Sequence, residues 1–196
     1  LDYATAWSYG RAESWNLLIP DFMGGDSGRA FTRDGEMAKA LKPYGLESFA
    51  EQLPAYWGEQ PYTAGPTYLG AAALFLALLG LLLASGRNKW WIAAVSLLTL
   101  LLAWGHNFMG FTEFAFKYLP GYNKFRTVSM ALVVVEWTVP LLAALALMPL
   151  WRGEVPRRKL LRALAWAGGI TGGFCLLFAV AGSAIFDVGR PEAAGF

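Results

Sequence analysis

Beyond Gln60 the chain alternates long apolar runs with short charged links. No charged residue stands between Glu59 and Arg87, none between Lys89 and Glu113 apart from the lone His106, only Glu136 between Arg126 and Arg152, and none between Arg162 and Asp187. A bilayer core about 30 Å thick takes roughly 20 residues of helix. Residues 65–84, 129–151 and 163–186 reach that length, whereas 90–105 is shorter. The pattern therefore predicts an all-α integral membrane fold with about four transmembrane helices in 64–186, a preceding segment 1–63, and a tail 187–196 running on into further chain.

The first sixty residues carry a different pattern. Gly24-Gly25-Asp26-Ser27-Gly28 is turn chemistry and marks a loop. A short helix is expected to start at Asp34 or Gly35 and run through Glu36–Leu41 until Pro43 stops it, and a second over Leu46–Leu53 until Pro54 ends it. No alternation is strong enough to define a β-domain, and no repeat or heptad run occurs.

Composition agrees with a lipid solvent: 56% of residues are hydrophobic and 15% charged, against a globular charged share of about 25%. The placement of the charges adds an orientation. One link carries Arg87 and Lys89, and another carries Arg152, Arg157, Arg158, Lys159 and Arg162, so both belong on the cytoplasmic side. Segment 1–63, the loop 106–127 and the tail then face outward, with Trp57, Tyr62, Tyr68, Trp90, Trp104 and Trp151 as an interfacial belt. The outer segment is net acidic, with nine carboxylates against five basic residues. Membrane lipids are the expected surroundings, and nothing favours a nucleic-acid partner. The chain starts without Met or a signal-like run although its first segment is placed outside. It is therefore expected to act with the remainder of the same polypeptide. Cys175 is the single cysteine, which excludes an internal disulfide and suits a packing role.

The densest chemistry lies in Tyr118-Leu119-Pro120-Gly121-Tyr122-Asn123-Lys124-Phe125-Arg126-Thr127, at the entry to the third span. The helix macrodipole disfavours cations at an N-terminus, whereas an anion there meets backbone N–H groups and side-chain donors together. Arg126 offers a bidentate fork, Lys124 a point charge, and Tyr122 and Phe125 apolar faces at headgroup depth. A lipid-linked phosphate fits this set, and the competing reading has both cations snorkel to anionic headgroups.

Glu136 falls within the third span, where a carboxyl group is costly and tends to face the bundle interior. Pro140 cannot donate to its carbonyl, so a kink and a polar pocket are expected there; the alternative is a carboxyl that fixes helix packing. His106 and Asn107 sit at the outer mouth of the second span, where a lone His106 suits proton shuttling or metal binding, or else caps the interface. Glu13, Asp21 and Asp26 are outer carboxylates without a paired spacing such as Asp-x-Asp. No P-loop, dinucleotide fingerprint, metalloprotease helix or nucleophile elbow occurs.

Several runs together resemble one family. They are Trp7-Ser8-Tyr9-Gly10, Leu17-Leu18-Ile19-Pro20-Asp21-Phe22-Met23-Gly24-Gly25, Tyr56-Trp57-Gly58-Glu59-Gln60-Pro61-Tyr62-Thr63-Ala64-Gly65-Pro66 and Pro120-Gly121-Tyr122-Asn123-Lys124-Phe125-Arg126. The chain is similar, over nearly its whole length, to YfhO-type bacterial membrane proteins of the Bacteroidetes kind, which are related to GT-C glycosyltransferases. The resemblance implies a polytopic inner-membrane protein that moves a sugar from a polyprenyl-phosphate donor to an envelope acceptor on the outer face. It implies that Lys124 and Arg126 hold the donor phosphate with Tyr122, Asn123 and His106 in support. Glu13, Asp21 and Glu136 are secondary candidates for a catalytic carboxylate, because the usual one belongs to an outer loop upstream of this segment. A divalent cofactor such as Mg or Mn is compatible with that chemistry, but no metal site can be read here. A carrier or flippase for lipid-linked saccharides and a structural envelope protein are the competing classes.

Overall fold

The structure, a computed structural model, describes residues 2–29, 31, 35–124 and 126–185. The expected helix start at Asp34, the side chain of Phe125, the end of the last span at Phe186 and the tail 187–196 lie outside these residues. The described residues are helical and contain no β-strand. In chain order the α-helices are α1 (Asp2–Thr5), α2 (Glu36–Leu41), α3 (Ala71–Leu83), α4 (Asn88–Ala103), α5 (Met109–Tyr118), α6 (Leu132–Trp151) and α7 (Arg157–Ile185). Short 3-10 turns fill much of the rest, including Ala12–Leu17, Glu47–Gln52, Tyr122–Lys124 and Val128–Ala131.

The expected surface helices form where the sequence placed them. Gly35 precedes α2, Pro43 lies in the 3-10 turn that follows it, and 47–52 makes a single 3-10 segment before Pro54.

The bundle forms around α6. Its buried positions Leu132, Val135, Val139, Leu142, Ala143 and Ala146 recur at three- and four-residue steps and lie on one face. They meet α3 most extensively and α4 next. The α3 contact is close because small residues meet there: a Cβ on Gly80 would overlap the backbone carbonyl of Leu142. Ala77 on α3 and Ala146 on α6 are likewise buried. Small residues at the crossing let two backbones approach, which is how apolar helices gain contact where lipid supplies no hydrophobic drive. Helix α7 rests on α3 through Ala163 and Ala167, while most of its surface is exposed.

Two helices, spanning Val128–Trp151 and Arg157–Val180, are long and apolar enough to cross a membrane, and a third qualifies if α4 and its continuation count as one span. Differences from the four expected spans have local causes. Helix α3 has 13 residues, about 20 Å at 1.5 Å per residue, because the stretch before it never becomes helical. Leu69 and Gly70 instead donate their N–H groups to the Leu17 carbonyl at 3.3 and 3.1 Å, and Gly70 sits at φ 95. At the other end of α3, Lys89 Nζ donates to the carbonyls of Leu81 and Ala84 at 2.7 and 2.8 Å, so a cation meets the negative pole of the helix. Helix α7 begins six residues earlier than expected and takes in the basic residues Arg157, Arg158, Lys159 and Arg162.

The second expected span, 90–105, forms as α4, and the chain bends sharply at its C-terminal end. Asn88–Ala103 and Gly105–Tyr118 meet at 111°, with Gly105 at φ 50. A Cβ at Gly105 would overlap Ser8 Oγ, so the turn needs both the left-handed backbone and the missing side chain.

Residues 3–23 and 55–63 lie across one end of this bundle. Tyr9 N–H donates to Ala103 O at 2.8 Å, Trp104 Nε1 donates to Ser14 Oγ at 2.9 Å, and Trp15 and Phe22 pack on Phe174 and Phe178 with centroids 4.7–5.2 Å apart. The two basic links sit at the other end, where Leu79, Leu83, Ala146, Ala163 and Ala167 close the core. The bundle thus has an acidic, layered end and a basic, bare one.

Candidate functional site

Within the layered end, the first strand of chain passes over the bend at Gly105 and its carbonyls and hydroxyls are taken up there. His106 N–H donates to Ser8 Oγ at 2.8 Å, Ser8 in turn donates to Thr5 O at 2.7 Å, and His106 Nδ1 lies 3.2 Å from the same Thr5 carbonyl. Asn107 Nδ2 donates to Tyr9 O at 3.1 Å, and Thr112 Oγ1 donates to Gly105 O at 2.7 Å. Arg11 donates to the Asn107 carbonyl while its guanidinium lies 5.9 Å from the centre of the Trp104 ring.

Two carboxyl groups meet at this point. Glu13 is 1% exposed. It accepts from Gly10 N–H at 2.5 Å and from the Tyr56 hydroxyl, which itself accepts from Gln60 N–H at 2.9 Å. The Tyr9 hydroxyl donates to the Glu13 backbone carbonyl at 2.7 Å. Glu59 is the exposed partner: its Oε2 accepts from Asn107 Nδ2 at 2.5 Å and lies 3.7 Å from His106 Nε2. A Cβ on Gly10 would stand 2.9 Å from Glu13 Oε2 and 3.0 Å from Glu59 Cδ, which puts the two carboxyl groups within about 6 Å of one another.

Burial, with the Glu13 charge behind it, pushes the Tyr9 phenol well above its usual range, and burial with the Glu13 hydrogen bond does the same for Tyr56. Both phenols therefore remain donors across physiological pH. Asn16 Oδ1 accepts from Met23 N–H at 3.1 Å, while its buried Nδ2 lies against the Tyr9 phenol without a well-formed acceptor.

From this carboxyl pair a strip of side chains leads to the cationic loop. Trp7 precedes Ser8 and meets Tyr62 edge-on at 5.5 Å. Arg126 Nε donates to the Tyr3 hydroxyl at 3.1 Å, and the Tyr3 and Tyr62 phenols both favour its charged form. Arg126, Lys124 and Asn123 are exposed. Tyr122 is the inward-facing member of the loop: it is 3% exposed and donates to Leu102 O at 2.8 Å, with burial pushing its phenol up to about 12. It anchors the loop on α4. Thr127 gives the turn Val128–Ala131 no side-chain cap.

The remaining sequence candidates stand apart from this strip. Glu136 lies on the outward face of α6 with Val133, Trp137 and Pro140, opposite the stripe that packs on α3 and α4. No polar pocket forms around it and Pro140 inside the bundle, because the buried stripe passes through 135 and 139. The helix runs on unbroken through Pro140. Asp21, exposed and at φ 51, pairs with Arg29 at 3.6 Å, and an ion pair this exposed contributes about 0–1 kcal/mol. Glu59, Tyr56 and Tyr3 are the site residues that sequence reasoning passed over. The available signal was Gly10 and Gly58, which flank Glu13 so closely that a side chain on either would collide with it.

Among the described residues no group of three His, Cys, Asp or Glu side chains is placed to hold a metal ion. Compared with protein-family models, with curated proteins and with solved structures, the chain matches none.

Proposed function

We propose that this chain is the acceptor- and donor-binding part of a membrane glycosyltransferase that moves a sugar from a polyprenyl-phosphate donor to an envelope acceptor. The reading places four spans in a bacterial inner membrane with the layered end outside. The observation that carries it is the strip itself, which runs from a carboxylate beside a histidine, across exposed aromatic rings, to an arginine with a free outer face.

A sugar linked to a lipid phosphate offers the matching sequence of hydroxyls, ring and anion. Arg126 and Lys124 bind the phosphate by charge-assisted hydrogen bonds, in reach of backbone N–H groups that no side chain caps. Glu59 is the exposed carboxylate in position to take a proton from an acceptor hydroxyl. The acceptor oxygen then forms its bond to the anomeric carbon as the bond from that carbon to the phosphate oxygen breaks. The electron pair leaves on the phosphate, where the two cations offset the charge. Buried Glu13 holds Tyr56 and Gly10 in place behind Glu59.

The test is sugar transfer by the full chain in proteoliposomes that contain a radiolabelled polyprenyl-phosphate sugar. Arg126→Ala and Lys124→Ala should each lower transfer by about tenfold or more, the scale of one charged hydrogen bond, with normal insertion. Undiminished transfer in both variants would reduce these cations to headgroup anchors. Binding of the donor without any transfer would favour a carrier.

A further inference from the structure

The proposed transfer chemistry leaves α6 with an ionisable group that it does not use. Glu136 is the single charged residue between Arg126 and Arg152. It stands eight residues into the apolar helix Val128–Trp151, about 12 Å at 1.5 Å per residue. It is exposed, on the face turned away from α3 and α4. A neighbouring polar side chain is satisfied inside the bundle: Thr138 Oγ1 accepts from Ser96 Oγ of α4 at 2.6 Å and donates to the Val134 carbonyl at 2.7 Å. Among the described residues no side chain is bonded to the Glu136 carboxyl group. Pro140, one turn further and also exposed, has no N–H to give the Glu136 carbonyl. One residue thus offers acceptors from its side chain and its main chain on the same side of the helix.

The helix is long and apolar enough to cross a membrane, and there an ionisable side chain is costly unless a second polar or charged group pairs with it. The surface around Glu136 has the form of a helix seam. Val133, Trp137, Pro140, Ala144 and Leu147 follow one another at steps of four, three, four and three, and all are exposed. That spacing lets a second helix pack at a shallow angle. Pro140 and Ala144 keep the seam low beside the carboxyl group, where another backbone can approach.

Charge decides what the seam takes. The apolar runs 65–84, 90–105, 129–151 and 163–186 contain no Lys or Arg, so no neighbouring run of this chain supplies a counter-charge at that depth. A twofold pairing with a second copy would set one Glu136 against another, and like groups repel strongly where the dielectric is low. We propose that the outward face of α6 docks a further transmembrane helix that carries one Arg or Lys at the depth of Glu136. The ion pair selects that helix over other apolar helices and fixes its register. This goes beyond the transferase reading and does not depend on it, since the pairing holds whether or not a sugar is moved.

The experiment places the 196-residue chain, with a donor fluorophore on its N-terminus, in phosphatidylcholine vesicles and adds acceptor-labelled peptides. Each peptide is a leucine-alanine helix of about 24 residues, long enough to span the bilayer. A host with one arginine about eight residues from its end, 12 Å deep, should reach half-saturating energy transfer at a peptide-to-lipid ratio about fivefold to thirtyfold lower than the plain host. Moving the arginine to the end of the host, at headgroup depth, should remove the advantage. Glu136→Leu should remove it as well, by binding both hosts alike. Ala144→Trp, which fills the low part of the seam, should weaken the binding of both.

The proposal is overturned if the wild type binds the arginine host no better than the plain one, if Glu136→Leu keeps the preference, or if the arginine acts equally well from the end of the host. It is also overturned if the chain pairs with itself through this face, seen as energy transfer between two labelled copies that Glu136→Leu abolishes.

Discussion

The α3–α6 crossing and the layered end of the bundle hold themselves together by opposite means. At the crossing, Gly80, Ala77 and Ala146 bring two backbones into contact, and shape decides stability. At the layered end, order comes from directed hydrogen bonds that join Thr5, Ser8, Tyr9 and Glu13 to His106, Asn107 and Tyr56. Such a network is unforgiving of a missing partner but tolerates small changes of volume. A region built on contact can be broken by one methyl group. A region built on hydrogen bonds is broken by one lost donor, and only such a region can present groups to a ligand.

Three changes would test this contrast, in descending order of effect. Gly80→Leu should be the most damaging, because its side chain runs into the Leu142 backbone. A loss of about 3 kcal/mol or more is expected, read as a lower midpoint of unfolding in mixed detergent micelles, and Gly80→Ala should already show part of it. Glu13→Gln keeps the volume but replaces the carboxylate with an amide, which leaves one charged acceptor fewer for Gly10 and Tyr56. It should cost about 1–3 kcal/mol, with faster hydrogen exchange at 8–17 and 103–107 and unchanged protection across α3 and α6. The two regions would then be shown to yield separately; equal loosening of both would contradict the contrast.

Tyr122→Phe should have the smallest effect, about 1 kcal/mol, since it removes one donor from the Leu102 carbonyl and little volume. The same phenol gives a pH dependence. Burial raises its folded value to about 12, above the ordinary phenol value of about 10, so folding favours the neutral form. That contribution is complete below about pH 10 and is lost as pH rises toward 12. Phenolate absorbance should show Tyr122 titrating later than the exposed tyrosines, and Tyr122→Phe should take one phenol out of the late fraction and leave those of Tyr9 and Tyr56.

The long apolar elements were legible in the sequence because their cause is local. Residues 129–151 are apolar enough to read as a helix from any viewpoint, and α2 is bounded by its own Gly35 and Pro43. The short α3 was not legible, because what stops its first turns is the Leu17 carbonyl, which no pattern in 65–84 announces. The site divides in the same way. Arg126 and His106 stood out as polar residues at the ends of apolar runs, but Glu59 did not, since its neighbours come from distant points in the chain: Asn107 lies 48 residues away. For Glu136 the residue was visible and its direction was not, because one step around a helix separates the buried 135 from the outward 136.

Gly80 and Leu142, which meet at the close α3–α6 crossing, are about sixty residues apart in the order of synthesis. At roughly 5–20 residues per second, α3 leaves the ribosome several seconds before the helix it is shaped to meet. During that interval its glycine notch has nothing but acyl chains, or the insertion machinery, to lie against. The feature that makes the finished bundle tight is therefore also the one that its biogenesis must keep waiting.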